Sequence, residues 1–130
     1  MSLDEEQVRD FARRYAEAWC SGEPTQVAAH YVPGGGIAIN GGTRTGITEA
    51  ARSFMEAFPD IHVSLDDVVI QGEHVEFHWT LTGTNTGPGG TGKPVRISGF
   101  EAWRLGADGR VVEATGTYDA NEYHRQLGRQ

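Results

Sequence analysis

Apart from one or two turns at the C-terminal end, helical periodicity lies in the first part of this chain, before residue 60, and strand-like alternation dominates the part that follows. Near the N-terminus, apolar residues recur at spacings of three and four, which predicts an amphipathic helix that ends at Gly22. Either Ser2 or Asp4 is available to cap this helix. The apolar residues of the pattern are Val8, Phe11, Ala12, Tyr15, Ala18 and Trp19.

Two more helices and a short strand are predicted before the alternating region. Pro24 suits the first turn of a helix that reaches about Tyr31. The Pro-Gly-Gly-Gly cluster at 33–36 is expected to break that helix and to lead into a short strand at 37–40. Thr48 is predicted to cap the third helix.

From Ile61 onward the sequence is typical of strands joined by tight turns. Val75, Phe77, Trp79 and Leu81 alternate with polar residues, which predicts one buried face and one exposed face. One or two helical turns are expected at the C-terminal end, at 119–127. The predicted strands are 61–70, 75–82, 95–105 and 111–118.

This order of elements predicts a single α+β domain over residues 1–130, with the N-terminal helices packed into an antiparallel or mixed sheet. Long strands with internal glycines, such as Gly99 and Gly116, tend to bend. A strongly curved sheet with helices inside its curve forms a cone, and a cone has an apolar pocket at its mouth.

The charge balance and the cysteine count restrict the partners and the compartment. Eleven basic residues face 18 acidic ones, for a net charge of -7, and no basic stripe is present, so nucleic acid is not an expected partner. Cys20 is the one cysteine, which excludes an intrachain disulfide and favours a cytoplasmic protein. The first twenty residues are rich in charge and contain no apolar run, so neither a signal peptide nor a membrane partner is expected.

Two patterns that resemble catalytic or metal motifs are weak. The stretch 87–93 has the spacing of a phosphate-binding loop, but Pro94 and a strand follow it where such a loop needs Ser or Thr and a helix, so a hairpin loop is predicted. The five histidines lack the spacing of a zinc site, so the sequence does not support a metal. His78 lies opposite the buried face of its strand, where a surface or interface role is predicted.

Asp119 is the acid with the most interesting position. It alternates along the last strand with Glu113 and Thr115, and if that face is concave, a carboxylate lies among aromatic side chains. Burial would raise its pKa and suit it to proton transfer near neutral pH. The alternative, which the spacing favours, is that Asp119 caps the terminal helix.

Several stretches of the chain resemble the SnoaL-like polyketide cyclase family, within the nuclear-transport-factor-2-like superfamily. The matching stretches are FARRYAEAW at 11–19, FPDIHV at 58–63, HWTLTGTNTG at 78–87, GKPV at 92–95 and DANEYHRQLG at 119–128. The resemblance implies a cone with a deep pocket, a homodimer packed through the sheet faces, and a small-molecule ligand. For true cyclases it implies an aldol ring closure without metal or cofactor, with one aspartate, here Asp119, as acid and base.

The chain also departs from the family pattern at three places. The family often has tryptophan where Thr115 stands and histidine near Asn40, and its cyclases use a histidine on the strand beside the aspartate. The corresponding strand here, 99–104, contains no histidine, so Glu101 either replaces it or the partner is absent.

The resulting hypothesis is a SnoaL-like protein that binds a small, apolar, oxygenated molecule, with Asp119 and Glu101 as catalytic residues. The predicted pocket-lining residues are Tyr15, Trp19, Asn40, Phe54, Phe58, Trp79, Trp103, Glu113 and Thr115. Isomerase, dehydratase or epoxide hydrolase chemistry in the same cone is an alternative. A hydrolase would need Asp119, Glu101 and Arg104 to converge, although alternation places Arg104 on the face opposite Glu101. A non-catalytic binding or dimerisation module is the third hypothesis.

Overall fold

The computed structural model describes residues 4–128, and within that range four helices pack against a sheet of six strands. The helices are α1 (Glu5–Cys20), α2 (Pro24–Ala28), α3 (Ile47–Ala57) and α4 (Ala120–Leu127). The strands are β1 (Tyr31–Ile39), β2 (Thr45–Gly46), β3 (His62–Gln71), β4 (His74–Thr84), β5 (Pro94–Leu105) and β6 (Val111–Tyr118).

The sheet is mixed and open, with the strand order β2-β1-β6-β5-β4-β3. The β1 and β6 strands pair in parallel, and the other neighbours pair antiparallel. The pairing register shifts between Leu65 and Asp67 and between Arg104 and Leu105, and such bulges bend a sheet. The predicted α+β class with N-terminal helices on a mixed sheet is therefore confirmed.

The first helix forms as its sequence predicts. The Asp4 carboxylate accepts a hydrogen bond from the Gln7 N–H at 3.3 Å, so Asp4 is the cap, while the alternative cap Ser2 lies outside the described residues. The apolar stripe of α1, which includes Tyr15 and Trp19, is buried. Gly22 follows the helix with a φ of 75°, a conformation that glycine adopts at little cost.

Three predictions about the segment from α2 to α3 are wrong. The second helix ends at Ala28, because Tyr31 already belongs to β1. The 33–36 cluster does not break the chain; β1 runs through it with an irregular register beside β6. Thr48 lies inside α3, whose N-cap is Gly46, with no side-chain cap.

Alternation along the strands separates an inner face from an outer face. On β5, Ile97, Glu101 and Trp103 are buried, while Arg104 is exposed. Gly99 lies on this inner face, and a Cβ there would approach Trp79 Cζ2 to 2.8 Å, so the position needs glycine for close packing. The inner face and the buried stripe of α1 together form the core.

The last helix, α4, packs against the N-terminal part of β5, which extends past the end of β6. The Gln126 amide accepts from the Arg96 N–H at 2.6 Å and donates to the Arg96 carbonyl at 2.9 Å. Leu127 is buried beneath the helix. None of the helices within residues 4–128 is both long and apolar enough to cross a membrane.

Candidate functional site

A pocket of about 50 Å³ opens between the inner face of the sheet and helices α1, α3 and α4. Its wall is apolar apart from the Glu101 carboxyl, the indole N–H groups and two tyrosine hydroxyls, and no lysine, arginine or histidine among the described residues lines it. Its aromatic lining within residues 4–128 consists of Trp19, Phe54, Phe77, Trp79, Tyr118 and Tyr123.

Glu101 is a charged side chain buried in the wall of this pocket, with 6% of its surface exposed. Glu101 and Trp103 are two positions apart on β5, so both side chains project from the inner face and lie next to each other. The Tyr15 hydroxyl donates to Glu101 Oε1 at 2.8 Å, and the Trp103 Nε1–H donates to the same oxygen at 2.9 Å. Both bonds engage Oε1, so Oε2 is the oxygen that remains for a group in the pocket.

Burial raises the pKa of Glu101 from its ordinary value of 4.5 to about 7. Loss of hydration disfavours the charged form, and this effect outweighs the hydrogen bonds from Trp103 and Tyr15 and the smaller contribution of the Tyr31 hydroxyl, which all lower the pKa. A carboxyl with a pKa near the working pH can both accept and return a proton. The geometry and the pKa together make Glu101 the strongest acid/base candidate in the pocket.

Tyr15 and Tyr31 extend the polar network behind Glu101. Their hydroxyl oxygens lie 3.0 Å apart, and both side chains are buried. Burial, followed by the negative charge of Glu101, raises the pKa of each phenol well above 10.0. Both phenols therefore stay neutral and act as hydrogen-bond donors over the physiological pH range.

The aromatic packing around Glu101 is dense on the side away from the pocket. Trp103 stacks on Phe77 with 5.2 Å between ring centroids, and Tyr15 contacts both rings edge-on at 5.1 Å. The Phe11 ring closes the far side of Trp103 at 5.6 Å. These contacts hold the two donors to Glu101 Oε1 in one orientation.

Two further donors in the wall are unused. The indole nitrogens of Trp19 and Trp79 are buried, and neither forms a hydrogen bond with any residue in the range 4–128. A buried N–H without a partner costs about 1–3 kcal/mol. Both rings line the pocket, so its wall is richer in donors than in acceptors.

The structure brings together some of the predicted site residues. Glu101, Trp19, Phe54 and Trp79 line the pocket. Tyr15, Phe58 and Trp103 are buried but lie behind the lining rather than in it. The remaining three predicted lining residues are exposed and lie away from the pocket: Asn40, Glu113 and Thr115.

The hypothesis that Glu113, Thr115 and Asp119 share a concave face is wrong, because all three are exposed: the first two lie on the outer face of β6, and Asp119 follows the end of that strand. The neighbours of Thr115, Ala114 and Gly116, take the inner face instead. Glu113 pairs with Arg44 at 3.2 Å. The exposed Asp119 carboxylate caps α4 by accepting from the Glu122 N–H at 3.1 Å, which is the alternative that the spacing favoured.

Asn40 and Arg104 also lie outside the pocket, away from the Glu101 carboxyl. Asn40 has a φ of 51° and accepts from the Tyr118 N–H at 2.9 Å through its side chain, so it fixes the end of β1 to the end of β6. Arg104 is exposed on the outer face, and Glu101 is buried on the inner face, so the trio that a hydrolase needs does not converge.

The other weak motifs have structural roles. The loop at 87–93 is a hairpin connection held by Asn85, whose side chain donates to the Ala57 carbonyl and accepts from the Thr91 N–H. His78 lies on the outer face, stacked on Phe100 at 5.4 Å. Within residues 4–128, no group of three His, Cys, Asp or Glu side chains is arranged to hold a metal ion.

The sequence analysis missed three tyrosines of the site. Tyr31 was assigned to the end of a helix, and Tyr118 and Tyr123 were not considered as lining residues. Alternation on β6 could have predicted Tyr118 as a lining residue, since it shares a face with Gly116. Nothing local to α4 indicated that Tyr123 would contact the Tyr118 ring at 5.4 Å over the pocket.

Comparisons with known proteins agree with this architecture. The family model described as a SnoaL-like domain matches residues 12–114, more than half of the chain. A comparison with curated proteins found no match.

Solved structures with the same fold cover nearly the whole chain. A candidate SnoaL-like polyketide cyclase from Jannaschia sp. CCS1 is 23% identical with a TM-score of 0.80, covering 100% of this chain and 97% of its own. IdmH, a candidate polyketide cyclase from Streptomyces antibioticus, is 25% identical with a TM-score of 0.73, covering 94% and 99%. A ketosteroid isomerase-like protein from Catenulispora acidiphila in complex with trimethylamine is 15% identical with a TM-score of 0.79, covering 93% and 94%.

Proposed function

The chain belongs to the SnoaL-like domain family, and we propose that its pocket binds a small, largely apolar, oxygenated molecule on which Glu101 acts as acid and base. The observation that carries this proposal is a buried carboxyl with a pKa of about 7 in an otherwise apolar wall. The site does not require a metal for this chemistry, because a methylene group between two carbonyl groups is acidic enough for a modest base.

The proposed reaction begins with removal of a proton from a methylene carbon that lies between two carbonyl groups. Glu101 Oε2 takes that proton, and the enolate then attacks another carbonyl group of the same molecule, which is an aldol ring closure of a polyketide-type substrate. The protonated Glu101 returns the proton to the alkoxide that forms. Apolar walls exclude water and fold the substrate, so positioning supplies part of the rate. Isomerisation and dehydration of a ketone share the first step and remain alternatives for this site.

Exchange of carbon-bound protons for deuterium tests this step without knowledge of the natural substrate. We expect the protein to accelerate exchange of the activated α-protons of 2-tetralone for deuterium in D₂O, and proton NMR measures the rate of this exchange. Glu101→Gln preserves size and hydrogen bonding but cannot take a proton, so the acceleration should fall by about 10²–10⁴-fold.

Asp119→Asn is the matched control for that experiment, because it changes a second carboxylate that lies outside the pocket. A catalytic role for Asp119 remains a prediction that the same measurement tests. Full activity in Asp119→Asn with loss in Glu101→Gln supports Glu101 as the acid/base. The reverse result would move the chemistry to Asp119, and equal activity in both variants would remove the acid/base proposal.

A second candidate function is binding of a small alkylated ammonium ion without catalysis. Six aromatic rings among the described residues surround one carboxyl, and a cation is attracted both to ring faces and to a carboxylate. The trimethylamine complex of the Catenulispora acidiphila neighbour is compatible with this candidate. A titration with trimethylammonium chloride, in which NMR records the Glu101 carboxyl signal, distinguishes cation binding from the acid/base function. A bound cation lowers the pKa of Glu101, whereas a neutral ketone does not.

We also propose a homodimer packed through the outer face of the sheet, as the family resemblance implies. The half-buried Phe100 ring and the neighbouring Ala102 give that face an apolar centre on β5. Sedimentation velocity of the protein and of Phe100→Asp measures the oligomeric state. A dimer that Phe100→Asp dissociates supports the proposal, and a monomer at all concentrations contradicts it. A cytoplasmic location likewise remains a prediction.

A further inference from the structure

A buried chain of two phenol hydroxyls ends on Glu101, and the proposed acid/base chemistry gives its outer member, Tyr31, no role. Tyr15 Oη lies 2.8 Å from Glu101 Oε1 and 3.0 Å from Tyr31 Oη. Tyr15 is fully buried and Tyr31 is 2% exposed, so water does not compete for either hydroxyl. The two phenols and Glu101 therefore form a hydrogen-bonded series that is shielded from bulk water.

The number of protons fixes the direction of the hydrogen bonds in this chain. An ionised carboxylate can only accept, so Tyr15 donates its single hydroxyl proton to Glu101. Tyr31 must then donate to the Tyr15 oxygen, because Tyr15 has no second proton to give. A donor to Tyr15 polarises the Tyr15 O–H group and strengthens its bond to the carboxylate.

We propose that Tyr31 is a positioning residue that acts through Tyr15, and that it fixes the Tyr15 hydroxyl on Oε1 so that Glu101 exchanges protons with a ligand at Oε2. This inference rests on the proposed function, because it assigns the reacting oxygen of the proposed acid/base. Trp103 supports the same asymmetry, since its indole N–H also engages Oε1.

Few other ionisable groups lie close enough to Glu101 to influence its pKa. The titratable groups around Glu101 within residues 4–128 come from four elements: Tyr15 of α1, Tyr31 of β1, Tyr118 of β6 and Tyr123 of α4. His30 contacts the Tyr15 ring edge-on at 5.6 Å, and its Nδ1 lies 3.0 Å from the Gln26 carbonyl oxygen. Glu113 acts on Tyr31 only weakly, from the outer face. Hydrogen bonds from phenol and indole groups are therefore the main stabilisation of ionised Glu101.

A pH titration of the Glu101 carboxyl carbon by NMR tests the proposal without a ligand. Tyr31→Phe removes one hydroxyl and keeps the ring, and we expect the Glu101 midpoint to rise by about 0.5 pH unit as the Tyr15 bond weakens. Tyr118→Phe is the matched control, because it removes a hydroxyl from the pocket wall without touching Oε1, and its midpoint should equal that of the unchanged protein. Incorporation of 3-fluorotyrosine at position 31, a stronger donor, should lower the midpoint.

A double variant separates action through Tyr15 from direct action. Tyr15→Phe should raise the Glu101 midpoint more than Tyr31→Phe does, and adding Tyr31→Phe to it should produce a smaller rise than Tyr31→Phe produces alone. Equal midpoints in Tyr31→Phe and Tyr118→Phe would overturn the proposal, as would a full Tyr31 effect in the Tyr15→Phe background. An ordinary Glu101 midpoint in the unchanged protein would instead remove the proposed function, so the two failures are distinguishable.

Discussion

Glu101 and Asp119 are carboxylates at opposite kinds of site, and their difference shows that surroundings decide what a carboxylate can do. Glu101 lies on the inner face of β5, is 6% exposed, and receives two hydrogen bonds from buried aromatic side chains. Asp119 lies at the junction of β6 and α4, is exposed, and receives one bond from a helix N–H. Burial makes Glu101 suited to proton transfer, whereas the exposed Asp119 serves as the cap of α4.

The largest expected difference between the two regions is in stability. Trp103 is 1% exposed and stacks on Phe77, so Trp103→Ala should lower the free energy of unfolding by about 3–5 kcal/mol. The adjacent Arg104→Ala, on the exposed face, should change it by no more than about 0.5 kcal/mol. Urea unfolding followed by circular dichroism measures both. Similar losses in the two variants would mean that the inner face is not the core.

The pH dependence of stability gives the next effect in size. The folded pKa of Glu101, about 7, exceeds its ordinary value of 4.5, so the folded protein binds more protons than the unfolded chain between these values. Stability therefore falls as pH rises from 4.5 to 7, by a total of about 3 kcal/mol. Glu101→Gln should abolish this fall, and Asp119→Asn should retain it.

The difference between Glu101→Gln and the unchanged protein is the quantity to measure in that experiment. Burial lowers the pKa of His30, which gives stability a slope of opposite sign just below pH 6.5. This contribution cancels in the difference because both proteins contain His30. Parallel stability curves for the two proteins would show that Glu101 does not titrate abnormally.

Asp119 gives the smallest effect. Asp119→Ala removes the cap of α4 and should cost about 1 kcal/mol, whereas Asp119→Asn should cost only a few tenths because Asn caps a helix nearly as well. Thermal unfolding measures the two variants side by side. A loss of several kcal/mol in Asp119→Asn would indicate a role beyond capping.

Sequence periodicity was sufficient for the fold class and for part of the site. Alternation places Trp79 and Glu101 on inner faces, and the helical stripe places Trp19 beside them, so these lining residues could be predicted. The face of β6 could not, because alternation fixes which residues share a face but not which face is concave. Glu113 and Thr115 were therefore assigned to the wrong side.

The contact between Tyr15, Tyr31 and Glu101 depends on packing between distant elements. The three residues come from α1, β1 and β5, and the pairing of β1 with β6 brings Tyr31 into the core. The glycine cluster at 33–36 indicated a break there, because propensity alone does not reveal a strand that is stabilised by parallel pairing. The hydrogen-bond chain was for this reason invisible in the sequence.

The titration of Glu101 in the unchanged protein tests the central claim most directly. Carboxyl-carbon NMR on labelled protein, with Glu101→Gln as the assignment control, reports its midpoint without any ligand. The structure predicts a midpoint of about 7, because the carboxyl is desolvated in the pocket wall. A midpoint near the ordinary value of 4.5 would contradict the account, since Glu101 would then be hydrated and unsuited to the proposed proton transfer.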